Sequence, residues 1–525
     1  MSEAPILKDT TRSTGREALQ KNIQAAMALA EAIRSTLGPK GLDKLLIDDE
    51  GRTLVTNDGV TVLETAKVEH PVAKMMINTS STQDRIAKDG TTSTVILAGE
   101  MLQNAWQLIL QGIHPSTIAR GYRKSEQYLL QCISEIKFDS DDKMKSSVVK
   151  TSLAGKGHSS MQETIARVSL DAVQMVADID STIDISKIKL VSQTGGKVED
   201  SKVFRGLIIP KKRISSNMHR EVNRGKIILI DGGLEKSNVA TDLKLNVTTV
   251  GVLESFRQEE RNMLKRQVDD LVEHGVTVLA CRESIDDEIK NYLSENGIQA
   301  FRRVARSDLN MLARVCDATL VNSVDSLTSN DLGSFIVSKN TTIEGKDFWI
   351  VEGDGKAATI IAKASTVDVV GEVERCFDDS LGVSVQLVEN GSVVCGGGAS
   401  YVALARRLRR YAETIPGREQ LAVEAYADAI EVIVRVLAEN AGIDPITTLL
   451  DVVAKQTNTN SDYIGIDLST GAPSDMVKLG ILEPEGIVKQ AIIGATEVAI
   501  SILRIDDVLW AKQEMQMPDM PDDEM

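Results

Sequence analysis

Aromatic residues are scarce in this chain, at 3% of 525 residues, and their scarcity limits what the protein can bind. Single-stranded nucleic acid stacks on aromatic side chains, and a phosphate backbone needs positive charge opposite it. The formal net charge is −16. We therefore expect no nucleic-acid partner, and a core built from aliphatic side chains.

Paired metal-ligating and membrane-spanning patterns are also missing. The five cysteines form no Cys-x-x-Cys pair, and no His-x-x-x-His pair occurs, so buried thiols in a reducing cytosol are expected and a zinc site is not. The N-terminal stretch has no apolar signal core, and no run of about 18 or more apolar residues occurs. The sequence predicts a cytoplasmic protein without a membrane partner.

The pattern of apolar residues predicts two helical thirds around a mixed middle. Helical spacing recurs in 13–37, and again from 403 to a long final helix over 487–512. A hairpin is predicted from Lys44–Ile47 and Thr53–Thr56. Strand-like and helix-like runs alternate between 217 and 365, which indicates an α/β domain.

The string Ala-Lys-Asp-Gly-Thr-Thr-Ser-Thr, which contains Asp89, opens a predicted helix. The first turn of a helix carries unpaired N–H groups and partial positive charge, so it binds anions. Gly90 lets backbone approach a phosphate, and Thr91, Thr92 and Ser93 add hydroxyl donors. Asp89 would repel phosphate unless a divalent cation lay between them, which makes it a candidate Mg²⁺ ligand. An N-cap role for Asp89 explains the string equally well.

Other phosphate-binding motifs are weak or missing. No Gly-x-x-x-x-Gly-Lys-Ser/Thr string occurs, so the chain is not a P-loop protein. Two glycine-rich clusters, at 36–41 and 395–399, have the backbone freedom to lie against a ligand. Each cluster alone is typical of an ordinary loop.

Taken together, the motifs of this chain are more specific than any one of them. In this order they resemble the group II chaperonins, the family of archaeal thermosomes and the eukaryotic cytosolic chaperonin, with the archaeal branch closer. The resemblance runs from about residue 15 to 512. The strings that carry it are TLGPKGLDKLL (36–46), TNDGVTVL (56–63), DGTTST (89–94), GIHPSTIARGY (112–122), EVERCFDDSL (372–381), CGGGA (395–399) and ILRIDDVLWAK (502–512).

The resemblance implies a multidomain α and α/β architecture. A split helical equatorial domain, a split α/β intermediate domain and a contiguous α/β apical domain with a helical lid protrusion are expected. The implied bounds are 1–145 and 403–512 for the equatorial domain, 146–216 and 366–402 for the intermediate domain, 217–365 for the apical domain, and 513–525 for a disordered tail. The lid is expected near 246–256.

The resemblance also implies a function and its partners. An ATP-dependent chaperone subunit is expected, which forms a double ring with copies or paralogues of itself and closes a lid over unfolded or partly folded polypeptides. The implied cofactors are ATP or ADP and Mg²⁺.

The site residues implied by the resemblance fall into three roles. Asp89 would bind Mg²⁺, Asp58 and Asp379 would position the attacking water, and Lys156 would sense the γ-phosphate. Without the resemblance, Asp58 is better explained as an ordinary turn residue and Asp379 as a solvated helix acid. The remaining nucleotide-binding residues would be Leu37, Gly38, Pro39, Gly59, Gly90, Thr91, Thr92, Ser93, Gly396, Gly397, Gly398 and Glu483.

Three departures from the family pattern keep other hypotheses open. Lys88 stands where the family usually has glycine, Asp378 where it usually has histidine, and Val488 where it usually has lysine, which here follows at position 489. A structural or regulatory subunit that scarcely hydrolyses ATP is therefore the alternative. A metabolic enzyme that binds a metal through Asp89 is a third hypothesis.

Overall fold

The structure is a computed structural model that describes residues 10–47, 51, 53–66, 68–177, 183–235, 252–324, 327–343 and 345–511. The chain divides into two compact units, and the first is formed by 1–157 together with 390–525. The second unit is the intervening stretch, 158–389. The finer domain bounds implied by the resemblance stay a prediction.

The first unit is mostly helical and takes elements from both ends of the chain. Its N-terminal elements are β1 (Thr10–Thr14), α1 (Gly15–Arg34), β2 (Lys44–Ile47), β3 (Thr53–Thr56), α2 (Gly59–Thr65), α3 (Pro71–Ala87), α4 (Thr91–Leu110), α5 (Pro115–Ile136), β4 (Phe138–Asp139) and α6 (Asp142–Ser152).

The second unit contains most of the sheet structure. Its elements are α7 (Ser159–Val176), β5 (Ile188–Thr194), β6 (Lys202–Arg205), β7 (Leu207–Ile209), β8 (Glu221–Ile230), α8 (Val252–Glu273), β9 (Val276–Cys281), α9 (Asp287–Glu295), β10 (Gln299–Phe301), α10 (Arg306–Cys316), β11 (Leu320–Val321), β12 (Gly333–Ile343), β13 (Lys346–Glu352), β14 (Ala358–Ala364) and α11 (Val367–Asn390).

The chain then returns to the first unit. The C-terminal elements are β15 (Ser392–Cys395), α12 (Ala399–Ala412), α13 (Glu419–Ile430), α14 (Val432–Asn440), α15 (Pro445–Thr459), β16 (Ile464–Asp467), β17 (Ala472–Asp475), α16 (Met476–Leu479), β18 (Leu482–Pro484), α17 (Glu485–Leu503) and β19 (Asp507–Ala511).

The core of the first unit is aliphatic, as the composition predicts. Side chains of α1, α3, α4, α5, α12, α13, α14 and α17 form one buried cluster, which includes Leu97, Met101 and Ile492. By length and composition alone, helix α17 could cross a membrane, but 61% of its most apolar window is buried. Its apolar character is accounted for by its place in this core.

Local sequence signals predict several first-unit elements correctly, and one prediction is wrong. The β2–β3 hairpin has the predicted bounds, with Lys44 paired to Thr56. The final helix ends at Leu503 and does not continue to 512. Residues 507–511 instead form β19, antiparallel to β1 with Thr14 opposite Asp507. This strand partner lies at the other end of the chain, so helical spacing near 487–503 carries no sign of it.

The second unit confirms the α/β alternation predicted for 217–365. Its main sheet has the strand order β10-β9-β8-β12-β13-β7, with β11 also paired to β8. Strands β8, β9, β10 and β11 run parallel, while β12, β13 and β7 add antiparallel pairs. Apolar clusters form around Trp349 and around Leu279. A smaller sheet has the order β5-β14-β6.

Two sequence predictions fall on residues outside the described ranges. Residues 246–251 of the predicted lid stretch and the predicted disordered tail, 513–525, are both in this class. They stay predictions.

An ion pair between α12 and the α13–α14 junction predicts a stability effect. Arg409 contacts both carboxylate oxygens of Glu431, at 2.5 and 2.7 Å, and the Glu431 side chain is 7% exposed. Glu431→Gln leaves the guanidinium with Asp428 alone, so we expect a loss of about 2 kcal/mol, or a fall of roughly 5 °C in Tm.

Thermal unfolding followed by circular dichroism measures this loss. The matched control is Glu439→Gln, because Glu439 is 54% exposed and pairs with Arg34. The control should cost less than about 0.5 kcal/mol. Equal shifts in the two variants would contradict the structural role of the Arg409–Glu431 pair.

Candidate functional site

One cavity of about 690 Å³ in the first unit brings together most of the predicted site residues. Its lining comes from both terminal stretches of the chain. The predicted residues that line it are Leu37, Gly38, Pro39, Asp58, Gly59, Asp89, Gly90, Thr91, Thr92, Ser93, Lys156, Gly397 and Glu483.

The N-terminus of α4 opens into this cavity. Its N-cap is Gly90, which has a left-handed backbone (φ 77, ψ 13) and makes no side-chain capping bond. A Cβ at Gly90 would lie 2.8 Å from Cγ2 of Ile487, so glycine is required there by both conformation and space. The N–H groups of the first helical turn have no partner within the helix and are available to an anion.

Asp89 stands at the mouth of this helix without capping it. Its Oδ1 accepts a hydrogen bond from the Gly90 N–H at 2.7 Å, and no group in the described part of the chain donates a hydrogen bond to its Oδ2. The N-cap interpretation is therefore wrong, because the cap is Gly90. Burial raises the pKa of Asp89, the Gly90 N–H and Lys156 lower it, and Asp58 raises it further.

A buried glutamine holds the backbone of this turn. Gln83 is 1% exposed, and its Nε2 donates to the Asp89 carbonyl at 2.8 Å and to the Ile487 carbonyl at 3.4 Å. One carboxamide thus ties the end of α3 to the mouth of α4 and to α17. This contact fixes the backbone from which the Asp89 side chain projects.

Lys88, the first departure from the family pattern, has a left-handed backbone. Its φ is 56 and ψ is 7, at the C-cap of α3. A non-glycine residue in this conformation costs about 1 kcal/mol. Its Nζ lies 3.8 Å from Oδ2 of Asp84. Lys88 is not one of the described residues that line the cavity.

Asp58 is both a helix cap and part of the cavity lining, and its predicted role in positioning water stays a prediction. It is the N-cap of α2, where its Oδ2 accepts from the backbone N–H of Thr61 at 2.9 Å and from the Thr61 hydroxyl at 2.6 Å. It also lines the cavity. Its neighbour Gly59 packs against α4, since a Cβ there would lie 2.5 Å from Oγ1 of Thr92.

Two loops of the N-terminal stretch line the cavity, the one at 36–41 and the one that follows α6. Gly38 has φ 82, and a Cβ there would lie 2.3 Å from Cδ2 of Leu437. The Leu37 carbonyl accepts from Asn440 Nδ2 at 2.9 Å. The loop that carries Lys156 follows α6 and passes the 36–41 loop, with a Cβ at Gly155 placed 3.4 Å from Cα of Pro39.

The Gly396–Gly398 run connects β15 to α12 and lies beside Glu483. Gly397 lines the cavity, whereas Gly396 and Gly398 belong to the supporting turn. Glu483 is opposite Val394 in the β15–β18 pair. A Cβ at Gly396 would lie 3.1 Å from Oε1 of Glu483. Burial, with a smaller contribution from Asp89, raises the pKa of Glu483 to about 8.

Sequence motifs missed a further set of lining residues. They come from α6, α12, α14 and the stretch from β16 to β18, where no glycine or acid cluster marks them. On α6, Lys150 and Thr151 follow Ser147 by three and four residues, so the three polar side chains share one helix face. The missed residues include Ser147, Lys150, Thr151, Tyr401, Ile433, Leu437, Ile466, Asp467, Leu468, Ser469, Leu479 and Ile481.

The other predicted positions lie elsewhere. Asp379 belongs to the second unit, near the middle of α11, where it is half-buried and its neighbour Asp378 is exposed. Val488 is fully buried in the first-unit core, and Lys489 is exposed on the other side of α17. The catalytic role of Asp379 stays a prediction.

The donor set at Asp89 fits a magnesium–phosphate group. Within the described ranges, no three His, Cys, Asp or Glu side chains converge to bind a metal on their own. A cation at Asp89 would therefore take its other ligands from phosphate oxygens and water, which is how Mg²⁺ usually binds nucleotides in proteins.

Comparison with known proteins decides the family. Residues 29–513 match the model of the TCP-1/cpn60 chaperonin family. A thermosome subunit of Methanopyrus kandleri is 43% identical over 511 residues, which cover 96% of this chain and 93% of that protein. The thermosome subunit beta of Thermoplasma acidophilum is 42% identical, over 97% of this chain and 95% of that protein.

This chain belongs to the chaperonin family. The resemblance to a group II chaperonin subunit is thereby confirmed, and so is the predicted function of an ATP-dependent, ring-forming protein that assists protein folding. The alternative of a purely structural or regulatory subunit is not favoured.

The raised pKa of Glu483 predicts a pH-dependent stability for the nucleotide-free chaperonin. The folded-state pKa is about 8 and the ordinary value is 4.5, so the folded chain binds more protons than the unfolded chain between these values. The contribution of Glu483 to the stability of the folded chain is therefore fully present below about pH 4.5 and is lost as the pH rises to about 8. Glu483→Gln, which cannot ionise, should have the higher Tm at pH 8.

Thermal melting at pH 5 and pH 8 tests this difference. The gap between Glu483→Gln and the unsubstituted protein should be small at pH 5 and largest at pH 8. A control, Glu485→Gln, changes a partly exposed carboxylate that pairs with Lys137. A constant gap at both pH values would show that Glu483 is ionised throughout.

Proposed function

We propose that this chaperonin hydrolyses ATP in the cavity of the first unit and uses the hydrolysis to close a lid over unfolded polypeptide clients. The observation that carries the proposal is the open N-terminus of α4, with the Asp89 carboxylate beside it in a cavity of about 690 Å³. That volume lies within the range of small-ligand cavities, roughly 300–1,000 Å³.

The residues around Asp89 supply what phosphate binding needs. The N–H groups and hydroxyls of Thr91, Thr92 and Ser93 would donate to phosphate oxygens. The Lys156 ammonium would add positive charge. Bound Mg²⁺ would neutralise phosphate charge and polarise the bond that is cut. Asp89 would hold that ion through its carboxylate.

We assign the positioning of the attacking water to Asp58 and Asp379, the two predicted site acids that do not bind the metal ion. Asp58 has one carboxylate oxygen committed to Thr61, which fixes its orientation and leaves Oδ1 as an acceptor for water. Asp379 is included on the resemblance of its surrounding sequence, EVERCFDDSL, alone. The equatorial, intermediate and apical domains, the double ring of copies or paralogues, and the cytoplasmic location are part of the same proposal.

Removing the Asp89 carboxylate should weaken nucleotide binding in the presence of Mg²⁺. Asp89→Asn keeps the shape of the turn but loses the charge that would hold the ion, so ATP affinity in Mg²⁺ should fall by at least about tenfold. Isothermal titration with ATP, with and without Mg²⁺, measures this. The control is Asp142→Asn, at a side chain that is 91% exposed.

The ATP affinity measured without Mg²⁺ separates the loss of a metal ligand from general damage to the site. The ATP affinity without Mg²⁺ should rise or stay equal in Asp89→Asn, because the substitution removes a carboxylate that repels the phosphates. Unchanged affinity in Mg²⁺ would contradict the metal-ligand assignment.

Replacing Asp379 should slow hydrolysis without weakening nucleotide binding. Asp379→Ala removes the proposed water-positioning group, so phosphate release should fall by about 10²-fold or more while ATP affinity stays within twofold. The neighbouring Asp378→Ala is the matched control and should keep most of the activity. Equal phosphate release in Asp379→Ala and the unsubstituted protein would favour a subunit that scarcely hydrolyses ATP.

A further inference from the structure

A buried glutamine on α15, Gln456, lies behind the cavity of the first unit. Gln456 is fully buried and is not one of the described residues that line the cavity. Its Nε2 donates to the Ala399 carbonyl at 3.0 Å and to the Ile464 carbonyl at 2.7 Å. Ala399 is the first residue of α12, and Ile464 is the first residue of β16. One carboxamide therefore joins α15, α12 and β16.

The orientation of the Gln456 carboxamide is fixed by its partners on both sides. Arg406, on α12, donates from Nη1 to Oε1 of Gln456 at 3.2 Å. Both acceptors of Nε2 are carbonyl oxygens, so a flipped amide would set oxygen against oxygen. A buried polar group whose hydrogen bonds are satisfied rigidifies the segments that it holds. The starts of α12 and β16 are thus held at a fixed separation.

The two segments held by Gln456 supply part of the cavity lining. Gly397, Tyr401 and Ile466 line the cavity. The Ile466 N–H donates to the Gly397 carbonyl at 3.0 Å, so β16 lies directly against the turn that precedes α12. A Cβ at Gly465 would lie 2.7 Å from the same carbonyl oxygen, which leaves no space between the two segments. A shift of β16 or of the start of α12 would therefore change the shape of this part of the lining.

The lining from β16 onward differs in chemistry from the mouth of α4. Ile466 and Leu468 contribute apolar side chains, and Leu479 and Ile481 follow in the same part of the chain. The residues proposed to contact the phosphates come from other stretches, at α4 and after α6. An apolar lining suits the base of a nucleotide, whereas the charged phosphates need the donors at α4. The nucleoside is therefore expected against the segments that Gln456 holds.

We propose that Gln456 is a positioning residue for the nucleoside half of ATP, which acts through the segments that it holds. The inference rests on the proposed function, because it takes the cavity of the first unit as the ATP site. Gln83 holds the turn at the phosphates, and Gln456 holds the lining at the nucleoside. A site whose supporting residues leave it about 1 Å too loose loses function even when every contacting residue is present.

A purely structural role is the rival explanation for Gln456, since the loss of buried hydrogen bonds destabilises a fold at any position. The two roles differ in their effect on ligands. A structural defect alone lowers the stability of the first unit and weakens every ligand of the cavity alike. A positioning role weakens the ligands that carry a nucleoside and spares those that consist of phosphates alone.

Titration of the assembled, full-length protein with two magnesium complexes tests the proposal. The ligands are ATP and inorganic tripolyphosphate, which has the phosphates of ATP without its nucleoside. Gln456→Met keeps the length of the side chain and removes the hydrogen bonds of the amide. ATP affinity should fall by about tenfold, while tripolyphosphate affinity should stay within about twofold. In phosphate release, KM should rise and kcat should stay within about twofold, because binding is weakened before and during the reaction alike.

Three further variants serve as references. Gln83→Met should weaken both ligands by a similar factor, because Gln83 supports the phosphate end. Gln299→Met is the matched control: Gln299 is also fully buried and donates from Nε2 to the His219 carbonyl at 3.0 Å, but it lies in the second unit. It should leave ATP affinity within about twofold. Arg406→Met removes only the bond to Oε1 of Gln456, so it should give a smaller loss, about threefold, that is again confined to ATP.

Three results would overturn the proposal: equal losses of ATP and tripolyphosphate affinity in Gln456→Met, an ATP affinity unchanged by this substitution, or a fall in kcat with KM unchanged. If Gln456→Met does not fold, the same comparison of ligands in Arg406→Met decides. Failure of the unsubstituted protein to bind ATP would refute the proposed function itself. ATP binding and hydrolysis that are insensitive to Gln456→Met would refute this inference alone.

Discussion

The turn at Asp89 and Gly90 is the constraint on which the rest of the site depends. It must expose the N-terminus of α4, place a carboxylate beside it, and still pass under Ile487 with no room for a Cβ. Gln83 stabilises this turn through a hydrogen bond from its Nε2 to the Asp89 carbonyl at 2.8 Å. Because the backbone is fixed, an incoming phosphate would find its donors already oriented, with little reorganisation left to pay for.

This turn also explains why the first unit draws on both ends of the chain. Part of the cavity lining comes from the turn before α12, from β18 and from α17, which follow the whole second unit in sequence. Glu483 in that lining is buried, and the nearby Asp89 carboxylate raises its pKa further.

The sequence predicts what is encoded locally and misses what is not. The β2–β3 hairpin and the start of α4 at Thr91 both follow from neighbouring residues. The β1–β19 pair joins strands almost 500 residues apart, and helical spacing before it misled the prediction for 487–512. Tyr401 and Leu468 were missed because apolar residues that line a ligand cavity look the same in sequence as residues of a core. The roles of Asp58, Asp89 and Lys156 came from the ordered motifs, since each residue alone also fits an ordinary turn or loop.

The most direct test of the central claim is an electron cryo-microscopy map of the assembled particle with Mg²⁺ and a non-hydrolysable ATP analogue. The account predicts that the phosphates lie against the first turn of α4, with density for one cation between them and the Asp89 carboxylate. A nucleotide bound at another place in the chain, or one in this cavity with its phosphates turned away from Gly90 and Asp89, would contradict it.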